Sequence, residues 1–323
     1  MVTYPAALPA LVLGFRQPAP EEALAKLRRV YIAAAVAVAL AAAGCANNEE
    51  SGSGGAQPSA SGSAGFNLDN VKKDDALAKQ VDSKISSDGK LVVGTDPTYE
   101  PNEFKDNGKI VGFDVDLGDA IAKKLGLTAE FEESKFDAIL PALGTRYEIG
   151  MSSFTDNKDR EKVVDFVTYY SAGTQWASKD PNFNPDNACG KKVAVQTGTV
   201  QDTDDLPARQ KKCAGNPIQI QRYDDQAEAT NSVVLGKADA VLADSPVMAG
   251  AVKKVGGGLS LVGDVYDSAP YGIAIPKSAG TTKDAILGAV KALVDDGTYK
   301  AILDKWGVAN GAINNPVING ASA

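Results

Sequence analysis

From Lys90 onward, short apolar runs alternate with segments whose apolar residues recur every three to four positions. Leu91–Gly94, Thr128–Phe131, Glu148–Met151, Lys192–Val195, Ile218–Ile220, Ala240–Leu242 and Tyr271–Ile275 predict strands. Phe113–Leu125 places Phe113, Leu117, Ile121 and Leu125 on one face, which predicts a helix with Gly126 at its C-cap. Phe136–Leu143, Val200–Cys213, Ala227–Leu235, Ser245–Val255, Ala285–Val294 and Tyr299–Trp306 predict further helices. Short buried strands alternating with amphipathic helices predict an α/β fold with mostly parallel sheets. The Asn-, Gly- and Ala-rich stretch 311–323 is expected to be loose.

Upstream lies a run of a different kind. Val30–Ala43 is apolar, preceded by Lys26, Arg28 and Arg29 and closed by Gly44-Cys45. A basic stretch, a short apolar stretch and small residues before a cleavage point make an export signal. At about 1.5 Å per residue the run reaches roughly 21 Å, short of a hydrocarbon core of about 30 Å. Ala42-Ala43-Gly44-Cys45 resembles the bacterial lipobox, which implies removal of residues 1–44 and acylation of Cys45, with palmitate as the type of chain. A plain secretory peptide and a single-pass anchor are the alternatives. Residues 1–25, interrupted by Pro5, Pro9, Pro18 and Pro20, fit no basic leader. Residues 45–66 read as a flexible Ser/Gly tether, and 67–87 as a linker with a leading helix.

Composition narrows the chemistry. Lys and Arg number 33 against 41 Asp and Glu, so phosphate backbones are repelled and nucleic acid is not an expected partner. The chain has no histidine, which removes Ser-His-Asp triads, Cys-His dyads and His-based metal sites together. In an exported chain, Cys189 and Cys213 are expected to pair, closing a loop of about 25 residues worth roughly 3 kcal/mol; two free thiols are the alternative. Past residue 87, about 240 residues suffice for two modest lobes or one large domain.

Ligands of open α/β sheets bind beyond the carboxyl ends of the strands. The segments there are Thr95–Phe104, Ser152–Arg160, Gln196–Val200 and Ala243–Pro246. They carry an aromatic, hydroxyls, a guanidinium, a Gly-containing turn and carboxylates. That set suits a free α-amino acid: a carboxylate takes Arg, hydroxyls and helix N-terminal amides, and an ammonium takes a carboxylate. Gly256-Gly257-Gly258 is a turn, since no Gly-Lys-Ser/Thr comes after it to make a phosphate cradle. Asp114, Asp116 and Asp119 lie on a helix and lack the Gly and distal Glu of a calcium loop, so a solvated face is expected.

From about Lys90 to Trp306 the chain resembles the family-3 extracellular solute-binding proteins, the polar amino-acid receptors of ATP-driven importers. The resemblance rests on Val93–Asp96, Gly112–Leu117, Val164-Asp165-Phe166, Ala240–Pro246, Tyr271–Ala274 and Asp296–Tyr299, in that order. It implies a two-lobed α/β fold of the type II periplasmic-binding-protein kind with two hinge-crossing strands. Lobe one would comprise 88–177 plus 268–310 and lobe two 178–267, with crossings near 175–178 and 266–269. It also implies a monomer without cofactor or metal that delivers a free amino acid to a membrane permease.

The same resemblance assigns roles residue by residue. Arg160 matches the arginine that clamps the ligand carboxylate, and Asp244 the carboxylate that takes the ammonium. Ser153 and Thr155 match positions touching the ligand's main-chain end. Thr199 and the amide of Val200 match a helix start completing the carboxylate site, although the second Thr common there is Val200 here. Tyr99 and Phe136 match walls around the ligand side chain. Asp96 matches a side-chain-reading position in binders of basic amino acids, with strand-end hydrogen bonding as the alternative. Asn157 replaces a common Thr three residues before the arginine. An exported enzyme on this scaffold, of the cyclohexadienyl dehydratase or lytic transglycosylase type, would need a general acid such as Glu103 or Glu133. A ligand-sensing domain is the third reading. If Asp96, Glu100 and Glu103 face the cleft, they favour a cationic side chain.

Overall fold

The computed structural model describes residues 65–322. In chain order the strands are β1 (Lys90–Thr95), β2 (Thr98–Tyr99), β3 (Glu103–Asp106), β4 (Lys109–Val111), β5 (Thr128–Glu133), β6 (Ile149–Gly150), β7 (Val164–Ser178), β8 (Lys192–Gln196), β9 (Gln219–Tyr223), β10 (Ala240–Asp244) and β11 (Ser260–Pro276). The helices are α1 (Asp75–Ala78), α2 (Ser83–Ser86), α3 (Phe113–Lys124), α4 (Phe136–Ala142), α5 (Lys158–Glu161), α6 (Leu206–Gln210), α7 (Gln226–Val234), α8 (Ser245–Val255), α9 (Thr282–Asp295) and α10 (Thr298–Trp306).

Eight strands form one sheet in the order β5-β1-β6-β11-β7-β10-β8-β9. Its centre is the antiparallel pair β7 and β11, matched from Val164↔Pro276 to Ser178↔Ser260 with register shifts on the way. On one side β1 runs parallel to β5 and β6; on the other β8 runs parallel to β9 and β10. Two parallel half-sheets therefore share two long strands, the two-lobed α/β architecture with crossing strands. All of β7 but Ser171 is buried, so its sequence reads as a near-continuous run instead of alternating. In lobe one, Phe113, Leu117 and Ile121 of α3 pack with Ile286 and Val290 of α9, Ile302 of α10, and Leu91 and Val93 of β1. In lobe two, Ala229, Val233 and Met248 cover one face of the half-sheet, and Trp176, Val193 and Leu206 lie on the other. Cys189 and Cys213 are disulfide-bonded, with Cα atoms 5.4 Å apart.

Four expectations need correction. The helix expected over Val200–Cys213 is a π-turn, Gln201–Asp205, and then short α6, because Pro207 in the first turn of α6 has no N–H to donate. Strands β2, β3 and β4 form a separate sheet that the pattern did not announce, since strands of two to four residues carry no readable period. Asp114 is not on a solvated face: it is fully buried, with Oδ2 accepting from Ser153 N (3.0 Å) and Tyr169 Oη (2.8 Å). The stretch after Gly311 is not loose. Ile318 bridges to Val167, Thr168 N donates to Val317 O (2.9 Å), and Asn319 N donates to Phe166 O (2.9 Å). Its backbone pairs with an open edge of β7, which composition could not reveal. The export signal, Cys45 and most of the tether lie outside the described residues, and no described helix is long and apolar enough to cross a membrane.

Candidate functional site

The loops at the carboxyl ends of the parallel strands build the cleft. β1 runs into Asp96, and β2 and β3 supply Tyr99 and Glu103. β6 leads to Ser152, Ser153 and Thr155, and α5 brings Arg160. From the other half, β8 ends on Gln196 and continues to Thr199, Val200 and Gln201, while β10 ends on Asp244. With Phe136, at the first position of α4, these residues line one tightly closed cleft. They converge because the carboxyl ends of parallel strands in the two halves face each other. Asp96, Tyr99, Phe136, Ser153, Thr155, Arg160, Thr199, Val200 and Asp244 thus share one cavity, although they come from segments up to 148 positions apart.

The turn carrying Arg160 is only four residues long, and Asn157 caps it, with Oδ1 accepting from Arg160 N (2.8 Å). The guanidinium donates to Thr155 O (2.9 Å) and, across the cleft, to Gly198 O (3.0 Å). It lies 5.5 Å from the Phe136 ring centroid and 5.7 Å from that of Phe154. Burial lowers its pKa to about 10, so it remains charged at neutral pH. Asp244 is buried; its Oδ1 accepts from Gln201 Nε2 (2.8 Å) and its Oδ2 from Tyr271 Oη (2.8 Å). Burial raises its pKa, while Tyr271, Tyr99, Gln201 and Arg160 oppose the rise.

Three buried carboxyls stand on the lobe-one wall or behind it. Asp96 Oδ2 accepts from Gln196 Nε2 (2.7 Å) and Phe136 N (3.1 Å). Burial, with Asp225 adding to it, pushes Asp96 up to about 7. Glu103 accepts from the Ser152 hydroxyl (2.9 Å) and the Ser153 hydroxyl (3.1 Å), and burial next to Asp114 pushes it well above the usual range. Burial also raises Asp114, to about 7. Ser153 holds a left-handed backbone (φ 53°), which turns its N–H toward Asp114. Gly112 makes this packing possible: a Cβ there would lie 1.9 Å from Asn102 O, at φ 141°.

The two halves touch at the site itself. Besides Gln196–Asp96 and Arg160–Gly198, Asp244 N donates to Tyr99 Oη (3.1 Å) and Gln226 N to Thr98 Oγ1 (3.1 Å). Lys135–Asp224 and Lys254–Glu100 ion pairs bridge the rim.

The sequence pattern does not mark Ser152, Gln196, Gln201 or Tyr271 as site residues, and it offers Glu103 only as a side-chain reader or an acid. Ser152 and Gln196 stood in the strand-end segments, so position was the available signal. Nothing in the sequence brought Tyr271 to Asp244. Thr199 donates its hydroxyl to Gln196 O (2.9 Å), and Ser153 gives its own to Glu103, so both protons are committed within the fold. Glu100 pairs with Lys254 at the rim, and Glu133 pairs with Lys105 (2.6 Å) away from the cleft.

The description of bacterial extracellular solute-binding proteins, family 3, matches residues 91–309. The arginine-binding protein ArgT of Corynebacterium glutamicum is 37% identical over 293 residues, 88% of this chain and 93% of that protein. The L-cystine-binding protein TcyJ of Escherichia coli is 30% identical over 231 residues, 69% of this chain and 85% of its own length. A solved ancestral arginine-binding protein bound to arginine superposes with a TM-score of 0.64 at 36% identity, over 68% of this chain and 98% of that structure. On these matches and on the paired half-sheets that meet at the cleft, the chain belongs to the family-3 bacterial extracellular solute-binding proteins.

Proposed function

We propose that the chain is the lipid-anchored, extracytoplasmic receptor of an ATP-driven importer, and that its ligand is a cationic amino acid, arginine foremost. Arg160 would take the ligand carboxylate and Asp244 its ammonium, with Tyr99 and Phe136 flanking the side chain and Ser153, Thr155, Thr199 and Val200 completing the main-chain end. The carrying observation is charge: Asp96 and Glu103 are buried in the cleft wall with no lysine or arginine among the described residues paired to either. A buried carboxylate without a counter-charge is costly, and a guanidinium or ammonium arriving with the ligand would offset that cost. Relatives named for arginine binding support the same reading.

A thermal-shift screen of the Cys45→Ala chain against the common amino acids tests it. Arginine at 100 times its Kd should stabilise by about 2.7 kcal/mol. No shift from arginine, lysine or ornithine would remove the cationic assignment, and no shift from any amino acid would remove the receptor reading. Cys45→Ala should also move the protein from the membrane to the soluble fraction without changing affinity.

One observation favours the enzyme reading: Glu103, whose pKa burial next to Asp114 pushes upward, reaches the cleft wall. Its two oxygens are engaged by Ser152 and Ser153, which suits a structural carboxyl better than an acid directed at substrate. Recovery of the ligand with unchanged mass after prolonged incubation separates the two.

A further inference from the structure

Residues 317–321 lie past the family match, yet they reach the turn that carries Arg160. Asn319 adopts a left-handed backbone (φ 55°), which Asn tolerates better than most residues. Its side chain accepts from Phe166 N (2.8 Å) and donates to Asp165 Oδ1 (3.1 Å), pinning the segment to β7. The chain then turns so that Gly320 N donates to Asp156 Oδ2 (2.6 Å) and Ala321 N donates to Glu161 Oε1 (3.2 Å). Asp156 directly precedes the Asn157 cap, and Glu161 is the last residue of α5. The two amides therefore hold α5 at both ends, with Arg160 between them. The fit at Gly320 is close: a Cβ there would lie 2.8 Å from Thr168 Cγ2.

A four-residue helix has no stability of its own, because nucleation costs more than so few hydrogen bonds return. The direction of Arg160 is thus set by what grips the turn from outside. On the described residues those grips include the bridge of Thr155 to Tyr271, made by Asp156 N to Pro270 O (2.9 Å) and Gly272 N to Phe154 O (2.8 Å), the guanidinium's own bonds to Thr155 and Gly198, and the two strap amides. Covering the β7 edge needs only Val317–Asn319; Gly320 and Ala321 go further and bond to the Arg160 turn alone.

We propose that Val317–Ala321 is a positioning strap for the ligand-carboxylate clamp, acting on the ligand only through Asp156, Glu161 and the orientation of Arg160. The inference rests on the amino-acid reading of the cleft. It is tested by titration calorimetry on the chain, a 317–323 deletion and Asn319→Ala, each with L-arginine and with L-argininamide, whose neutral amide removes the charge that Arg160 clamps. The deletion should raise the Kd for arginine by about tenfold, the loss expected when one charged hydrogen bond is mis-set, and leave that for argininamide nearly unchanged. Asn319→Ala, which keeps the chain length, should move arginine in the same direction by a smaller factor. A synthetic 312–323 peptide added to the deletion should recover arginine affinity. Unchanged arginine affinity in both variants overturns the strap, as do equal losses for the two ligands, which mark general loosening. A parent chain that binds neither ligand instead overturns the reading of the cleft on which the strap depends.

Discussion

Asp96→Asn separates ligand binding from stability with opposite signs. In the ligand-free protein Asp96 has its pKa raised to about 7, mainly by burial. A carboxyl whose folded pKa is raised contributes most to stability below its unfolded value and loses that contribution as pH rises through the folded value. At pH 7.5 the ionised form therefore costs stability, and an amide avoids the cost. Asn keeps an oxygen for Gln196 and Phe136 and turns its NH₂ toward Thr98, so no large packing change is expected. The ligand-free variant should melt no lower than the parent.

Binding should behave in the opposite way. A cation about 4 Å from Asp96 gains about 4 kcal/mol at an effective dielectric near 20. Part of that gain goes to stripping water from the incoming cation, which leaves a net of about 2–3 kcal/mol, or roughly 30- to 150-fold in Kd. Calorimetry at pH 7.5 with L-arginine and its neutral isostere L-citrulline reads this directly: Asp96→Asn should lose arginine affinity by that factor and citrulline affinity hardly at all. Because the ligand cation favours ionised Asp96, parent affinity should also rise with pH up to about 7 and flatten above it, and the variant should lack the rise. Arginine affinity within about threefold of the parent, where a net pair energy of about 2 kcal/mol or more was expected, would refute the placement of the ligand cation at Asp96.

Arg160→Ala should abolish the arginine-induced thermal shift, and it should also lower the ligand-free melting point, since Thr155 O and Gly198 O lose their donor and the Phe136 and Phe154 rings lose a neighbour; retained binding would take Arg160 out of the clamp. Gly112→Ala should destabilise severely, because its Cβ would meet Asn102 O at 1.9 Å; an unchanged urea midpoint would contradict that packing. Replacing Cys189 and Cys213 by Ser should cost about 3 kcal/mol through the loop they close, read as a lower denaturation midpoint under non-reducing conditions, with no difference between the two proteins once reductant is added.

Much of this architecture was legible because its signals are local. Apolar runs at β1, β8 and β10 and the four-residue spacing of Phe113, Leu117, Ile121 and Leu125 need only neighbouring residues to be read. The alternation of strands and helices implied the parallel half-sheets, and the strand ends alone picked out the segments holding Asp96, Arg160, Thr199 and Asp244. The discontinuous lobes came from family resemblance, since periodicity records no partner for a strand.

What tertiary structure alone decided is the company each polar residue keeps. Asp114 has the spacing of an exposed helical carboxylate, yet it is buried because Tyr169 and the left-handed turn at Ser153 arrive from elsewhere in the chain. Tyr271 meets Asp244 across the cleft, and Gln196 meets Asp96 over a separation of 100 residues. The 311–323 stretch has the composition of a loose tail, but its backbone amides find acceptors on β7 and α5, and composition does not encode where a backbone donor will meet an acceptor. Sequence determined which chemistry was present and on which local elements. Folding decided which carboxylates lost their water and which backbone groups took its place, because desolvation and hydrogen bonding depend on neighbours that are distant along the chain.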